Sequence, residues 1–259
     1  MRKEEKNFAH SCLMEGMTSI RAVIEALQKQ KRDARPILRI WYDEQKRSKI
    51  SKELGWLSHR AEELHFDLVP TDAATIDAMS TGNTHGGILA ECGERRLPSL
   101  SEESIVSDGF YVMIEGIEDP YNFGYALRSL YAFGVDGIIL PERNWMTAAG
   151  VVARASAGAS ERFDMMIASS SAEAADLFAQ KGYSIVCADE KGQEALGQCV
   201  VEHPVFLIVG GEKRGISASL LARADLTLRI PYGRDFGSAL SAASAATVLA
   251  YEISKYKNR

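Results

Sequence analysis

Apolar and polar positions change their period repeatedly along the chain, and the changes mark out its elements. Ile20, Val23, Ile24 and Leu27 recur at helical spacing and predict a helix over Ser19–Gln30. A short apolar run at Ile37–Trp41 reads as a strand, Lys49–Leu64 as a second helix, Phe66–Val69 as a strand and Ala73–Met79 as a short helix. His85-Gly86-Gly87 then turns the chain into an apolar segment that ends at Ala90. From Gly109 the alternation becomes regular. Strands are predicted at Tyr111–Ile114, Gly137–Leu140, Phe163–Ile167, Ser184–Ala188, Val205–Val209 and Leu226–Arg229. Helices are predicted at Asn122–Phe133, Thr147–Ser156, Ala172–Gln180 and Ser238–Lys255. Strands alternating with helices imply an α/β fold, a mostly parallel sheet with helices on both faces. Pro98, Ser99, Ser101, Ser104 and Ser107, set among charges, mark residues 96–107 as a linker. It would join an N-terminal α/β domain (1–95) to a larger C-terminal one (108–259).

Three strand ends carry candidate chemistry. In the first, Asp119-Pro120-Tyr121-Asn122-Phe123-Gly124 leads straight into a helix bearing Arg128. Strand end to helix start is where open α/β sheets place ligands, although Asp119 and Pro120 also suit an ordinary helix cap. In the second, the apolar run Val205–Val209 ends in Gly210-Gly211-Glu212-Lys213-Arg214-Gly215, where bare main chain can approach a ligand. The spacing is neither that of a phosphate-binding Gly-Lys-Ser/Thr loop nor that of a dinucleotide fingerprint. In the third, Ile230-Pro231 is followed by a glycine-containing loop and an Ala- and Ser-rich helix.

Taken in order, these segments resemble the SpoU/TrmH family of RNA methyltransferases, of the SPOUT class. Asn122-Phe123-Gly124 with Arg128 is similar to the family's first motif, and Gly210-Gly211-Glu212 with Gly215 to its second. Ile230-Pro231 followed by Ala239-Leu240-Ser241 is similar to its third, and Ala155–Ala159 to a Ser-x-Gly-Ala stretch between them. The third motif departs from the pattern: Ser241 stands where the family has Asn, and Ala239 where it has Ser. A hydroxyl keeps one donor and acceptor capacity but loses the paired geometry of an amide. The resemblance covers roughly residues 108–255. A looser likeness, through His85-Gly86-Gly87, links the N-terminal part to the small ribosomal-protein-like domain that often precedes it.

What the resemblance implies is specific. The fold would be a C-terminal trefoil knot whose loops bind S-adenosylmethionine, in a homodimer. The reaction would be methyl transfer to a ribose 2′-hydroxyl of RNA, with ribosomal RNA favoured over transfer RNA. Arg128, Asn122, Glu212 and Ser241 would be the catalytic set. Arg128 would stabilise developing alkoxide and grip phosphate, since a guanidinium offers donors and no acceptor. Val209, Gly210, Gly211, Gly215, Ile230, Pro231, Ala239 and Leu240 would hold the cofactor. Two other classes stay open: an RNA-binding relative without turnover, suggested by the altered third motif, and another α/β enzyme using a nucleotide.

Charge refines the partner. The 259-residue chain carries a net charge of −5, yet residues 1–60 hold 14 Lys and Arg against 8 Asp and Glu. Lys29, Lys31, Arg32 and Arg35, followed by Lys46, Arg47, Lys49 and Lys52, form a candidate RNA phosphate surface. Cys12, Cys92, Cys187 and Cys199 are scattered, as are the five histidines, and no metal-ligand spacing occurs. Free, mostly buried thiols, no metal, no membrane span and a cytoplasmic location are expected.

Overall fold

The computed structural model describes residues 12–141, 148–211 and 215–256. These fall into two compact units, one built from 12–96 with 148–162 and the other from the remainder.

In the first unit, strands β1 (Leu13–Glu15), β2 (Ile37–Asp43), β3 (Asp67–Thr71) and β4 (Ile88–Cys92) form a sheet in the order β1-β4-β2-β3. Only β2 and β3 run parallel. Helices α1 (Gly16–Gln28), α2 (Ser51–Leu64) and α3 (Ala73–Met79) follow the predicted apolar spacing to within a few residues. Met14, Ile20, Ile24, Ile40, Leu57 and Ile88 make the core. Two helices from later in the chain, α5 (Ala149–Ala155) and α6 (Ala159–Arg162), complete this unit, and Ala149 and Ala153 enter its core. Their position has a polar cause as well. Arg35 is buried with its Nε donating to Glu161 of α6 at 3.0 Å, and Arg95, paired with Asp33, donates to the Ser160 carbonyl at 2.6 Å. Removing either partner would strand a buried charge, so these contacts fasten α6 specifically.

The second unit is a seven-stranded, wholly parallel sheet. Its strands are β5 (Phe110–Ile114), β6 (Gly137–Pro141), β7 (Asp164–Ala168), β8 (Ser184–Ala188), β9 (Glu194–Ala195), β10 (Val205–Val209) and β11 (Leu226–Arg229). Their order is β7-β6-β5-β10-β8-β11-β9. All five residues of β5 and of β10 are buried, as expected of strands covered on both faces. The chain winds outward from β5 through β6 and β7, then β8 and β10 fill the other side. The neighbours β5 and β10 are therefore where the winding direction switches, the usual position of a ligand crevice. Helices α4 (Pro120–Ala132), α7 (Ser171–Gln180), α8 (Ala218–Leu221) and α9 (Ala242–Ser254) belong to this unit. Phe178 of α7 stacks on Phe206 of β10 with centroids 4.1 Å apart, and Tyr111 and Tyr183 pack around the pair.

Two expectations change. Residues 97–107, read as a linker, are held by the second unit: Leu100 N–H donates to the Ile167 carbonyl at 2.7 Å, Ile167 N–H to the Pro98 carbonyl, and the Tyr183 hydroxyl to the Val106 carbonyl. Pro98–Leu100 run beside β7 and Glu102–Ser104 make a 3-10 turn, an arrangement that composition alone does not distinguish from a free linker. The final helix starts at Ala242, four residues after its predicted start, because Ser241 caps it.

Candidate functional site

The C-terminal ends of β5 and β10 lie side by side, with Val209 paired to Ile114 and Glu115 N–H donating to the Val209 carbonyl at 2.9 Å. Just beyond, the two main chains touch. A Cβ on Gly211 would lie 2.8 Å from the Glu115 carbonyl oxygen and 2.9 Å from Gly116 Cα. Gly116 itself has φ +71°, a conformation that favours glycine. Gly210 is equally constrained, since its Cβ would meet Gly215 at 2.5 Å. Gly215 N–H closes the turn by donating to the Gly211 carbonyl at 2.9 Å. The glycines are thus required by backbone proximity, and they leave main chain facing open space.

That space is a cavity of about 820 Å³, within the range of small-molecule sites. Val209, Gly210, Gly211, Gly215, Ile230, Pro231, Ala239 and Leu240, the eight residues expected to hold a cofactor, all line it. Loop 231–241 forms one wall. It is tied to itself where Leu240 N–H donates to the Tyr232 hydroxyl at 3.0 Å. Phe236 stands on it 61% exposed, its ring 6.4 Å from that of Tyr232. Opposite, Asp189, Glu190 and Lys191 follow β8. Arg229 steadies that loop by donating to the Gly192 and Gln193 carbonyls at 2.8 and 3.0 Å. The sequence reading missed Asp189, Lys191, Tyr232 and Phe236. The available signal was a polar Asp-Glu-Lys-Gly run directly after the apolar strand Ser184–Ala188, the same strand-end pattern that marked the other loops.

The expected catalytic residues are dispersed. Asn122 and Arg128 sit on α4, whose N-terminus is capped by the Asp119 carboxylate accepting from Asn122 N–H at 2.8 Å. Arg128 is exposed and, among the described residues, has no hydrogen bond or ion pair. Neither residue lines the cavity. Ser241 adjoins it in sequence, but its hydroxyl accepts from Ser244 N–H at 3.2 Å and donates to Ser244 Oγ at 3.0 Å, so it serves as the cap of α9. Glu212 lies outside the described residues. On the Ala- and Ser-rich final helix, Ala242, Ala243 and Ala246 are buried, whereas Ala239 belongs to the loop before it.

The candidate RNA cluster divides. Lys29 and Arg32 are exposed. Arg35 is 3% exposed and committed to Glu161, and Lys31 donates to the Arg162 carbonyl at 3.1 Å and faces Asp33 at 3.9 Å. Both are internal ties of the first unit and not surface cations. A run of positive charge in sequence does not reveal which members meet buried carboxylates.

The thiols are free, with Cys92 and Cys187 buried. Burial pushes each of these two up to about 12. Among the described residues no group of His, Cys, Asp and Glu could hold a metal ion, and no helix is long and apolar enough to cross a membrane.

Comparison with known proteins places this arrangement. Residues 109–251 match the model of the SpoU rRNA Methylase family. A protein of Bacillus subtilis (strain 168), YacO, named for the TrmH family of tRNA/rRNA methyltransferases, is 25% identical over 92% of this chain and 94% of its own length. A Staphylococcus haemolyticus relative, also named for that family, is 31% identical, but the match spans only 57% of this chain and 58% of that protein. Among solved structures, the SpoU methyltransferase AviRb from Streptomyces viridochromogenes, in complex with AdoMet, superposes with a TM-score of 0.76 at 21% identity, covering 98% of this chain and 93% of that one. The AdoMet-bound rRNA methyltransferase from Sinorhizobium meliloti gives 0.75 at 19% identity, covering 98% and 91%. At these identities the structural likeness establishes the fold.

Proposed function

Because the chain belongs to the SpoU rRNA Methylase family, we propose that it transfers a methyl group from S-adenosylmethionine to a ribose 2′-hydroxyl of ribosomal RNA. The observation that carries this reading is the cavity beyond the C-terminal ends of β8, β10 and β11, lined by all eight residues matching the family's cofactor positions. Its volume and its glycine-bared walls at Gly210 and Gly211 fit a nucleoside-sized ligand bound largely through main chain. When bound, S-adenosylmethionine supplies an electrophilic methyl group. The residues of this chain bind and orient. Apolar Val209, Ile230 and Leu240 exclude water, while the Gly210–Gly211 main chain offers hydrogen-bonding groups. Arg128, exposed and without a partner among the described residues, is available to hold the substrate phosphate and the oxygen on which charge develops. Asn122 and Glu212 position the arginine or the ribose in this reading.

Three further features belong to it. A trefoil knot in the C-terminal segment is supported by the way Gly210, Gly211 and Gly215 line one cavity with the 230–241 loop while α9 packs on α4. A homodimer is supported by Tyr125, Tyr131, Val248 and Tyr251, large apolar side chains left exposed on those two packed helices. RNA binding by the first unit, as a ribosomal-protein-like module, is supported by the exposed Lys29, Arg32, Lys49 and Lys52.

One observation favours a second reading: Ser241, standing for the family's Asn, spends its hydroxyl on capping α9, which suits an RNA-binding relative without turnover. A single experiment separates the two. Purified protein is incubated with tritiated S-adenosylmethionine and total RNA from a strain lacking the gene, and labelled nucleotides are mapped. Label on one ribose 2′-oxygen of ribosomal RNA is the expected result. Label on transfer RNA would redirect the substrate, and cofactor binding without label would favour the second reading.

A further inference from the structure

The first unit contains a second cavity, of about 370 Å³, that the methyl-transfer reading does not use. It lies at the N-terminus of α1, a 13-residue helix. The first-turn amides of a helix have no intrahelical acceptor. Here the N-cap residue, Glu15, makes no side-chain cap bond. Its carboxylate is occupied elsewhere, accepting from Arg154 Nη1 at 2.5 Å and from Thr81 N–H at 2.6 Å. Met17 and Thr18, whose amides are thereby left uncapped, both line the cavity.

A second, independent observation points the same way. Ser19 lines the cavity and is 1% exposed, yet its hydroxyl has no hydrogen-bond partner among the described residues. A hydroxyl that lines the cavity without a protein partner is free to meet a ligand there. Glu53 lines the same cavity, and its carboxylate likewise has no partner among the described residues. Ile50 and Ile88 add apolar wall. Lys49 and Lys52, next to Ile50 and Glu53 in sequence, are exposed and unpaired among the described residues.

We propose that this cavity takes an unpaired guanine base of RNA, an inference that rests on the RNA reading above. Guanine presents two acceptors, O6 and N7, to the amides and the Ser19 hydroxyl, and two adjacent donors, N1–H and N2–H, to the Glu53 carboxylate. Adenine and cytosine each offer a carboxylate only the exocyclic amine, and uracil a single ring N–H. Lys49 and Lys52 hold the flanking phosphates, which makes the ligand a strand and not a free base.

The test uses fluorescence anisotropy with short single-stranded RNA oligonucleotides on the full chain: an all-adenine strand, the same strand with one central guanine, and that strand with inosine in its place. A bidentate base contact corresponds to about tenfold discrimination, so the guanine strand should bind roughly tenfold tighter than the all-adenine strand. Inosine, lacking N2–H, should lose much of that gain. Glu53→Gln should abolish the preference, and Ser19→Ala should weaken the guanine strand alone. Equal affinity of the wild-type protein for the three strands would overturn the proposal, as would a guanine preference that survives Glu53→Gln or vanishes with added inorganic phosphate. The inosine arm needs no variant, so a variant that fails to fold leaves the test intact. Calorimetric titration of the wild type with S-adenosylmethionine tests the methyltransferase reading separately: cofactor binding without guanine preference sinks only this inference.

Discussion

Replacing Gly211 with alanine places a Cβ 2.8 Å from the Glu115 carbonyl oxygen and 2.9 Å from Gly116 Cα. Ordinary C···O and C···C contacts begin near ~3.3 and ~3.5 Å, so both neighbours are short by about half an ångström. Neither obstacle is the end of a flexible side chain. Glu115 is fixed by its N–H bond to the Val209 carbonyl, and Gly116 by its φ of +71°. One of the two strand-end loops must therefore move. Forced overpacking of this kind costs about 1–3 kcal/mol. For about 2 kcal/mol in a chain of this size, Tm should fall by roughly 4–8 °C. Because the displaced main chain lines the cavity, affinity for S-adenosylmethionine should drop by about tenfold, the equivalent of ~1.4 kcal/mol. Calorimetric melting and isothermal titration read the two effects separately. Gly55→Ala is the control of opposite sign: it lies within α2, a Cβ there meets nothing within 4 Å, and alanine favours helix by about 1 kcal/mol. If Gly211→Ala melts within about 1 °C of wild type and binds cofactor equally well, the close crossing of the two loops does not shape the site.

Other substitutions probe separate parts of the molecule. Arg128→Ala should leave cofactor affinity unchanged and cut methyl transfer by about 10²–10³-fold; single-turnover assays that find wild-type rates would remove it from the chemistry. Arg35→Ala should destabilise the protein by about 3–5 kcal/mol in urea unfolding, because it leaves Glu161 buried and unpaired; a normal unfolding midpoint with weakened RNA binding would instead restore Arg35 to the RNA surface. Cys92 and Cys187, with burial holding their thiols neutral up to about 12, should resist maleimide at pH 8 until the protein unfolds. Their folded pKa lies above the unfolded value, so their contribution to stability is fully present below an unfolded thiol pKa near ~8.5 and is lost as pH rises towards 12. Urea midpoints should accordingly decline between about pH 9 and 12, and labelling of either thiol in the native state would contradict the burial argument.

The strand and helix segments of the second unit were legible because both rest on short-range periodicity. Ser184–Ala188, Val205–Val209 and Leu226–Arg229 were read to the residue, since a buried parallel strand is an unbroken apolar run bounded by turn residues. The glycines at 210, 211 and 215 announced a backbone-lined site for the same local reason. β1 and β9, of three and two residues, are too short to show any period. Which strands are neighbours was beyond the sequence: β10 lies between β5 and β8 because the chain doubles back, and only that insertion brings Gly211 against Gly116 and sets loop 231–241 beside Asp189. The fate of individual charges was equally hidden. Arg35 and Arg32 look alike in sequence, yet one is buried against Glu161, 126 residues away, while the other faces solvent. Hydrophobic period and turn chemistry act over a few residues, so the chain itself determined its elements, its parallel α/β class and its candidate loops. Pairing of distant strands and of buried charges is decided by packing and desolvation across the whole fold, and only the tertiary structure settled those.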